Sequence, residues 1–220
     1  MNTLRICAAA LAAALLAGCA SQAVPHDYSA FKASNPRSIL VLPPVNESPD
    51  VNAVNGFLSQ TTLPLAEAGY YVFPVAVVQQ TFRQNGLDHS ADIHAVQLSK
   101  LHEIFGADAV LYLKVKQYGT SYKVLVSDTR VTADAILVDA RSGQELWRGE
   151  ATASSTENQS QQGLLVMLVQ AAVQQIASNI GDKSYEIAGM TAQRLLNAGG
   201  SKGILYGPRS PFHWNQKQEK

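Results

Sequence analysis

What this chain has little of sets the first limits. Only two of its 220 residues are cysteines, Cys7 and Cys19, so neither a disulfide scaffold nor a cysteine-rich metal knuckle is available. Charge is sparse and balanced: 15% of residues are charged, 17 basic against 17 acidic. Without a basic stripe to neutralise phosphates, nucleic-acid binding is disfavoured. Long apolar runs are also missing. The N-terminal run from Ile6 to Ala17 has twelve residues, whereas a membrane span needs about 20. What remains is a 46% hydrophobic chain, long enough to bury a core without covalent staples. No internal Pro, Gly or Ser-rich linker divides it.

The short apolar run has a purpose of its own. Arg5 precedes it, small residues follow, and Cys19 closes the series, which is the layout of a secretory signal peptide over residues 1–18. The order Leu16, Ala17, Gly18, Cys19 resembles the lipobox of bacterial lipoproteins. That resemblance implies a covalent diacylglycerol and an acyl chain on Cys19, with no other cofactor. Cys7 is then discarded and no intrachain disulfide forms. Each buried methylene contributes about 0.8 kcal/mol and a single chain binds reversibly, so several chains make the lipid bilayer a permanent partner. Ala20-Ser21 follows Cys19, lacking the aspartate that enteric-type sorting uses for inner-membrane retention. The expected location is the outer membrane, facing the periplasm, with surface exposure left open.

Residues 19–36 are polar, carry two prolines and lack periodicity, and so read as a flexible tether. Fully extended, it would reach about 60 Å. A single globular α/β domain is expected over 37–198. Ile39 to Leu42 suits a central strand covered on both faces. Val51, Val54, Leu58 and Leu65 give a helix that Pro64 kinks or divides and Gly69 ends, with Ser48 or Asp50 available as a cap. A strand at "YYVFPV" follows, then helices closed by Gly86 and Gly106. Strands are expected over Asp108 to Tyr118, Tyr122 to Ser127 and Arg130 to Asp139, and "DARSGQ" turns the chain into "ELWRGEATAS". Trp147 on that strand reads as core or sheet edge. The fold class is therefore α/β (α+β): a mixed sheet with an antiparallel meander packed against helices. Gly163 to Ile180 reads as an apolar helix, buried or facing a partner, and a further helix follows near Tyr185 to Asn197. The segment 199–220 is an irregular C-terminal tail, although Ile204, Leu205, Tyr206, Phe212 and Trp214 are large and apolar. They either dock on the body or form a patch for another protein.

No constellation for catalysis emerges. Gly199 to Gly203 matches G-x-S-x-G, but the nucleophile elbow requires a strand before and a helix after. The histidines His89, His94 and His102, with Asp88 and Asp92, invite a metal. However, "HEIFG" lacks the second histidine of a zinc helix, and His94 and His102 on one helix would lie about 12 Å apart. Asp134 and Asp139 sit at odd spacing on one predicted strand and so face opposite ways. No metal site and no enzyme activity are expected.

The segments "YSAFKASNPRSILVLPPVNESPDV", "GADAVLYLKVKQYG", "LVDARSGQELWRG" and "GILYGPRSPFH" resemble a family of bacterial lipoproteins that includes a neisserial surface-lipoprotein antigen. The resemblance spans nearly all of the mature chain. It implies a periplasm-facing α/β domain similar to the TolB N-terminal domain and to CsgG-type periplasmic domains, with a CsgG-type lipoprotein among the candidate partners. It carries over no catalytic residues. The function these readings support is a non-enzymatic, protein-binding accessory of envelope or secretion assembly. The alternative is a lipoprotein that binds a small ligand or the cell wall in a cleft. An unpaired sheet edge would also permit self-association into a homo-oligomer.

Overall fold

The structure is a computed structural model that describes residues 26–122, 127–157 and 180–213. Along the chain come α1 (Ser29–Ser34), β1 (Ser38–Val41), β2 (Val45–Asn46), α2 (Ala53–Gln60), α3 (Thr62–Glu67) and β3 (Tyr71–Val72). Then follow α4 (Val75–Gln84), α5 (Ser90–His94), α6 (Leu98–Phe105), β4 (Ala109–Tyr122), β5 (Ser127–Asp139), β6 (Glu145–Ser154) and α7 (Ile180–Leu196).

The apolar run that starts the domain explains the layering. Ile39, Leu40, Val41 and Leu42 all have 0% exposure, and alternate residues of a strand point to opposite faces. β1 therefore needs cover on both sides. It sits inside a sheet of order β3-β1-β4-β5-β6, with β2 pairing β4. The β3, β1 and β4 pairings are parallel, and β4, β5 and β6 form an antiparallel meander, confirming the mixed α/β class. One face packs Ile39, Val41, Leu111, Leu137 and Trp147 against Phe57, Leu65, Ile187 and Leu196 of α2, α3 and α7. The other packs Leu40, Leu42 and Val110 against Val78, Phe82, Ile93 and Leu101 of α4, α5 and α6. This second helical layer stops at β4, leaving Asp134, Ile136, Arg148 and Glu150 of β5 and β6 half-buried or exposed.

Several sequence expectations need correction. Residues 28–36, read as the end of the tether, belong to the body: Phe31 on α1 is 3% exposed, and Ser34 Oγ donates to Asp139 Oδ2 (2.5 Å). A helix of six residues with one buried side chain is too short to show periodicity. Most of the strand expected over Tyr122 to Ser127 lies outside the described residues, which omit 123–126. Its two ends are shared out: Tyr122 closes β4 and Ser127 opens β5, so among the described residues the meander has three strands. The long predicted helix divides at Thr61 into α2 and α3, with Pro64 early in α3, where it costs least. Neither Ser48 nor Asp50 caps α2; Asp50 Oδ1 instead accepts the Asn52 N–H (2.8 Å) in the loop before it. The expected helix from Gly163 lies outside the described residues up to 179.

Candidate functional site

The register places one end of every core strand together. Ser38 pairs Tyr71, Ile39 pairs Ala109, Ala109 pairs Asp139 and Val138 pairs Glu145. We call this end the base. β4 has 14 residues, so at about 3.3 Å per residue the far end of the β4–β5 hairpin lies about 43 Å away.

The C-terminal segment is strapped across the base. Its carbonyl groups are received one after another. The Trp147 indole N–H donates to Lys202 O (2.9 Å), the Tyr28 hydroxyl to Gly203 O (2.6 Å) and the Tyr70 hydroxyl to Leu205 O (2.5 Å). His213 Nδ1 lies 2.8 Å from Tyr206 O. A carbonyl only accepts, so Nδ1 carries the proton. Burial pushes the Tyr70 phenol far above its usual range, keeping it a donor at any physiological pH. Backbone contacts are equally close: Gly207 N–H donates to Ala68 O (2.8 Å), and a Cβ on Gly207 would sit 2.6 Å from Gly69 O.

The strap decides the fate of the residues singled out for partner binding. Ile204 is 0% exposed within the core and forms a parallel bridge with Ala198, so it is unavailable to a partner. Leu205 and Tyr206 are half-buried against the core. Phe212 is 55% exposed, its ring centroid 5.3 Å from that of Tyr206. Trp214 and Cys19 lie outside the described residues. Trp147, read as core or edge, is core at 2% exposure.

At the far end the hairpin builds an open polar groove that sequence reading missed. In β4, Val115 pairs Ala133 and Gln117 pairs Thr132, so Lys116 is one residue extra. Such a bulge flips the side-chain alternation. Val115 and Tyr118 accordingly both join the first core. Lys116 is turned onto the outer face, where its Nζ meets Asp134 Oδ2 (2.7 Å) and Glu150 Oε2 (3.1 Å). Asp134 Oδ1 is buried with no hydrogen-bond partner among the described residues. Beyond the bulge, Gly119 takes φ +122°, a backbone that side chains resist.

The groove, about 450 Å³, is lined by Lys116, Gln117, Tyr118, Gly119, Thr120, Ser121, Asp128 and Arg130 with Pro49 opposite. Its walls are prearranged. Partial burial pushes the Asp128 carboxyl up, but hydrogen bonds from Ser154, Arg130 and Thr156 outweigh that and hold it below the usual carboxylate range. The opposing loop is tied by Asn46, whose Oδ1 accepts Ser48 N–H (2.9 Å) and whose Nδ2 donates to Asp50 O (2.8 Å). That loop also presents Val51 at 84% exposure. Gly119, directly after the strand expected over Asp108 to Tyr118, was the one available sequence signal.

The histidines do not assemble. His94 Nε2 bonds Pro43 O (2.9 Å) and His102 Nδ1 bonds Ala107 O (2.8 Å), each as a structural donor. Among the described residues no group of three His, Cys, Asp or Glu side chains is placed to hold a metal. Gly199 to Gly203 lies between α7 and the strap, with no strand before it. Asp139 is spent at the base, accepting from Ser34, Ser142 and the Arg141 N–H.

Both described chain ends lie at the base of a layered α/β body, and no described helix is long and apolar enough to cross a membrane. The GNA1162-like lipoprotein family model matches residues 26–209; the chain belongs to this family. It is 55% identical over 201 residues to the lipoprotein NMB1124/NMB1162 of Neisseria meningitidis serogroup B, covering 90% of this chain and 94% of that one. The crystal structure of lipoprotein GNA1162 from Neisseria meningitidis matches with TM-score 0.53 and 60% identity, over 66% of this chain and 100% of that one. A weaker likeness is to the PelC dodecamer from Paraburkholderia phytofirmans, with TM-score 0.43 and 13% identity over 72% of this chain and 84% of that one.

Proposed function

We propose that this lipoprotein is anchored through acylated Cys19 in the periplasmic leaflet of the outer membrane and binds another envelope protein, without catalysis, at the distal groove. The observation that carries this reading is the opposition of the two ends. The chain leaves the body toward Cys19 at the base, while the prearranged polar groove, with exposed Val51 on the loop opposite, is lined along the distal part of β4 from Lys116 to Ser121, about 23–40 Å from the base. An accessory of envelope or secretion assembly needs that arrangement, a fixed foot and a presented contact surface. Membership in a lipoprotein family supports the anchor. Photo-crosslinking amino acids at Ser121 and Val51 in cells test the reading, with Gln84 on α4 as control. The same envelope protein should be captured from both groove positions, but from neither Gln84 nor a Cys19→Ala background. Adducts indistinguishable among the three positions refute it.

A second reading rests on the groove's lining of hydroxyl, amide and charged groups, which suits a glycan as well as a protein surface. Under that reading, isolated peptidoglycan co-sediments with the mature chain, and Gln117→Ala or Thr120→Val reduces the bound fraction.

A further inference from the structure

Resting on the reading of Cys19 as the anchor, we infer that the base is a lipid-contact surface, so that the body stands on the bilayer instead of swinging from it. The first argument is covalent reach. Because α1 and the residues around it pack on the body, only Cys19 to His26 separate the anchor from folded structure. Those seven steps span at most about 25 Å, far less than the tether read from sequence. The attachment point is also at the base: the His26 ring meets the Tyr28 ring edge-on with centroids 4.6 Å apart, and the Tyr28 hydroxyl donates to Gly203 O of the strap (2.6 Å).

The second argument is the chemistry of this end. Phe212, on a segment otherwise pinned to the core, is 55% exposed, and Tyr71 of β3 is 42% exposed. The Arg209 guanidinium stands 5.6 Å from the Tyr71 ring centroid. Lys32, Arg37 and Lys202 are exposed at the same end. Aromatic rings interleaved with cations are what a headgroup layer accommodates. The acidic groups here are largely engaged: Glu145 is held by Arg148, Asp108 by Arg141, and Asp27 accepts the Ser29 N–H. Glu67 is the exposed exception. The short tether holds the patch at a high effective concentration beside the bilayer, so weak contacts suffice.

The test uses the full mature chain, purified with its anchor and reconstituted in phosphatidylethanolamine and phosphatidylglycerol vesicles. Intact mass first reports whether Cys19 is acylated, so a failure of the anchor reading is seen separately. With Cys19 blocked, a nitroxide on Pro211→Cys or Ser121→Cys is the single label. Docking predicts that oxygen reaches the label at 211 severalfold better, relative to a water-soluble nickel complex, than the label at 121. Arg209→Glu and Lys202→Glu should each reduce the docked fraction about fivefold. Equal accessibility ratios at 211 and 121 overturn the inference. Exclusion of both quenchers at 211 also overturns it, because a protein and not lipid would then cover the base.

Discussion

Replacing Ile204 with alanine tests whether the C-terminal strap is part of the fold or an appendage. The side chain has 0% exposure and belongs to the main core, where isoleucine to alanine costs about 2–5 kcal/mol. The upper half of that range applies when the surroundings cannot collapse into the void. Here the adjoining carbonyls of Lys202, Gly203 and Leu205 are held by Trp147, Tyr28 and Tyr70, so the backbone stays in place. We expect a loss of about 4 kcal/mol, a large part of the 5–15 kcal/mol typical of a domain. At about 2–4 °C per kcal/mol for a chain of this size, Tm should fall by about 8–16 °C. Urea unfolding followed by far-UV circular dichroism gives the value, with an unchanged m establishing that the same structure unfolds. Phe212→Ala, on the same segment but exposed, should stay within about 0.5 kcal/mol. A loss below about 1 kcal/mol for Ile204→Ala, no more than a surface change, would refute the reasoning.

Two further outcomes follow from the geometry. Burial lowers the His94 pKa, and Lys114 adds to this against the hydrogen bond to Pro43. The unfolded chain therefore takes up the proton first, near its ordinary value of about 6.5. Stability should hold above that pH and decline as pH falls toward the lowered folded value. His94→Gln, which keeps a donor but does not titrate, should flatten this part of the urea-midpoint profile, and an unaltered profile would exclude His94 as its source. At the groove, Gly119→Val places a branched side chain at φ +122° and should cost about 1–3 kcal/mol. Chemical denaturation checks this, and a neutral result means the strand end relaxes without strain.

How much was legible in the sequence depended on whether a signal was local. The continuous apolar run from Ile39 to Leu42 announced a strand covered on both sides. Gly86 and Gly106 announced the ends of α4 and α6, both with left-handed φ, and "ELWRGEATAS" coincides with β6. Pairing partners were not local. The continuation of β4 past Tyr118 depends on thirteen paired positions with β5, which no periodicity in β4 alone encodes. The bulge at Lys116 exists only as a mismatch between two strands.

The sequence by itself determined the class of the core and carried the lipobox-like pattern ending at Cys19, because composition, period and spacing are properties of neighbours along the chain. Tertiary structure alone decided what the ends do. Ile204 and Phe212 look alike in sequence, eight residues apart and both apolar. One became core and the other surface because tyrosine and tryptophan donors from Tyr28, Tyr70 and Trp147 converge on the carbonyls around Ile204. Those donors come from residues 55 to 175 positions away, and only folding brings them together.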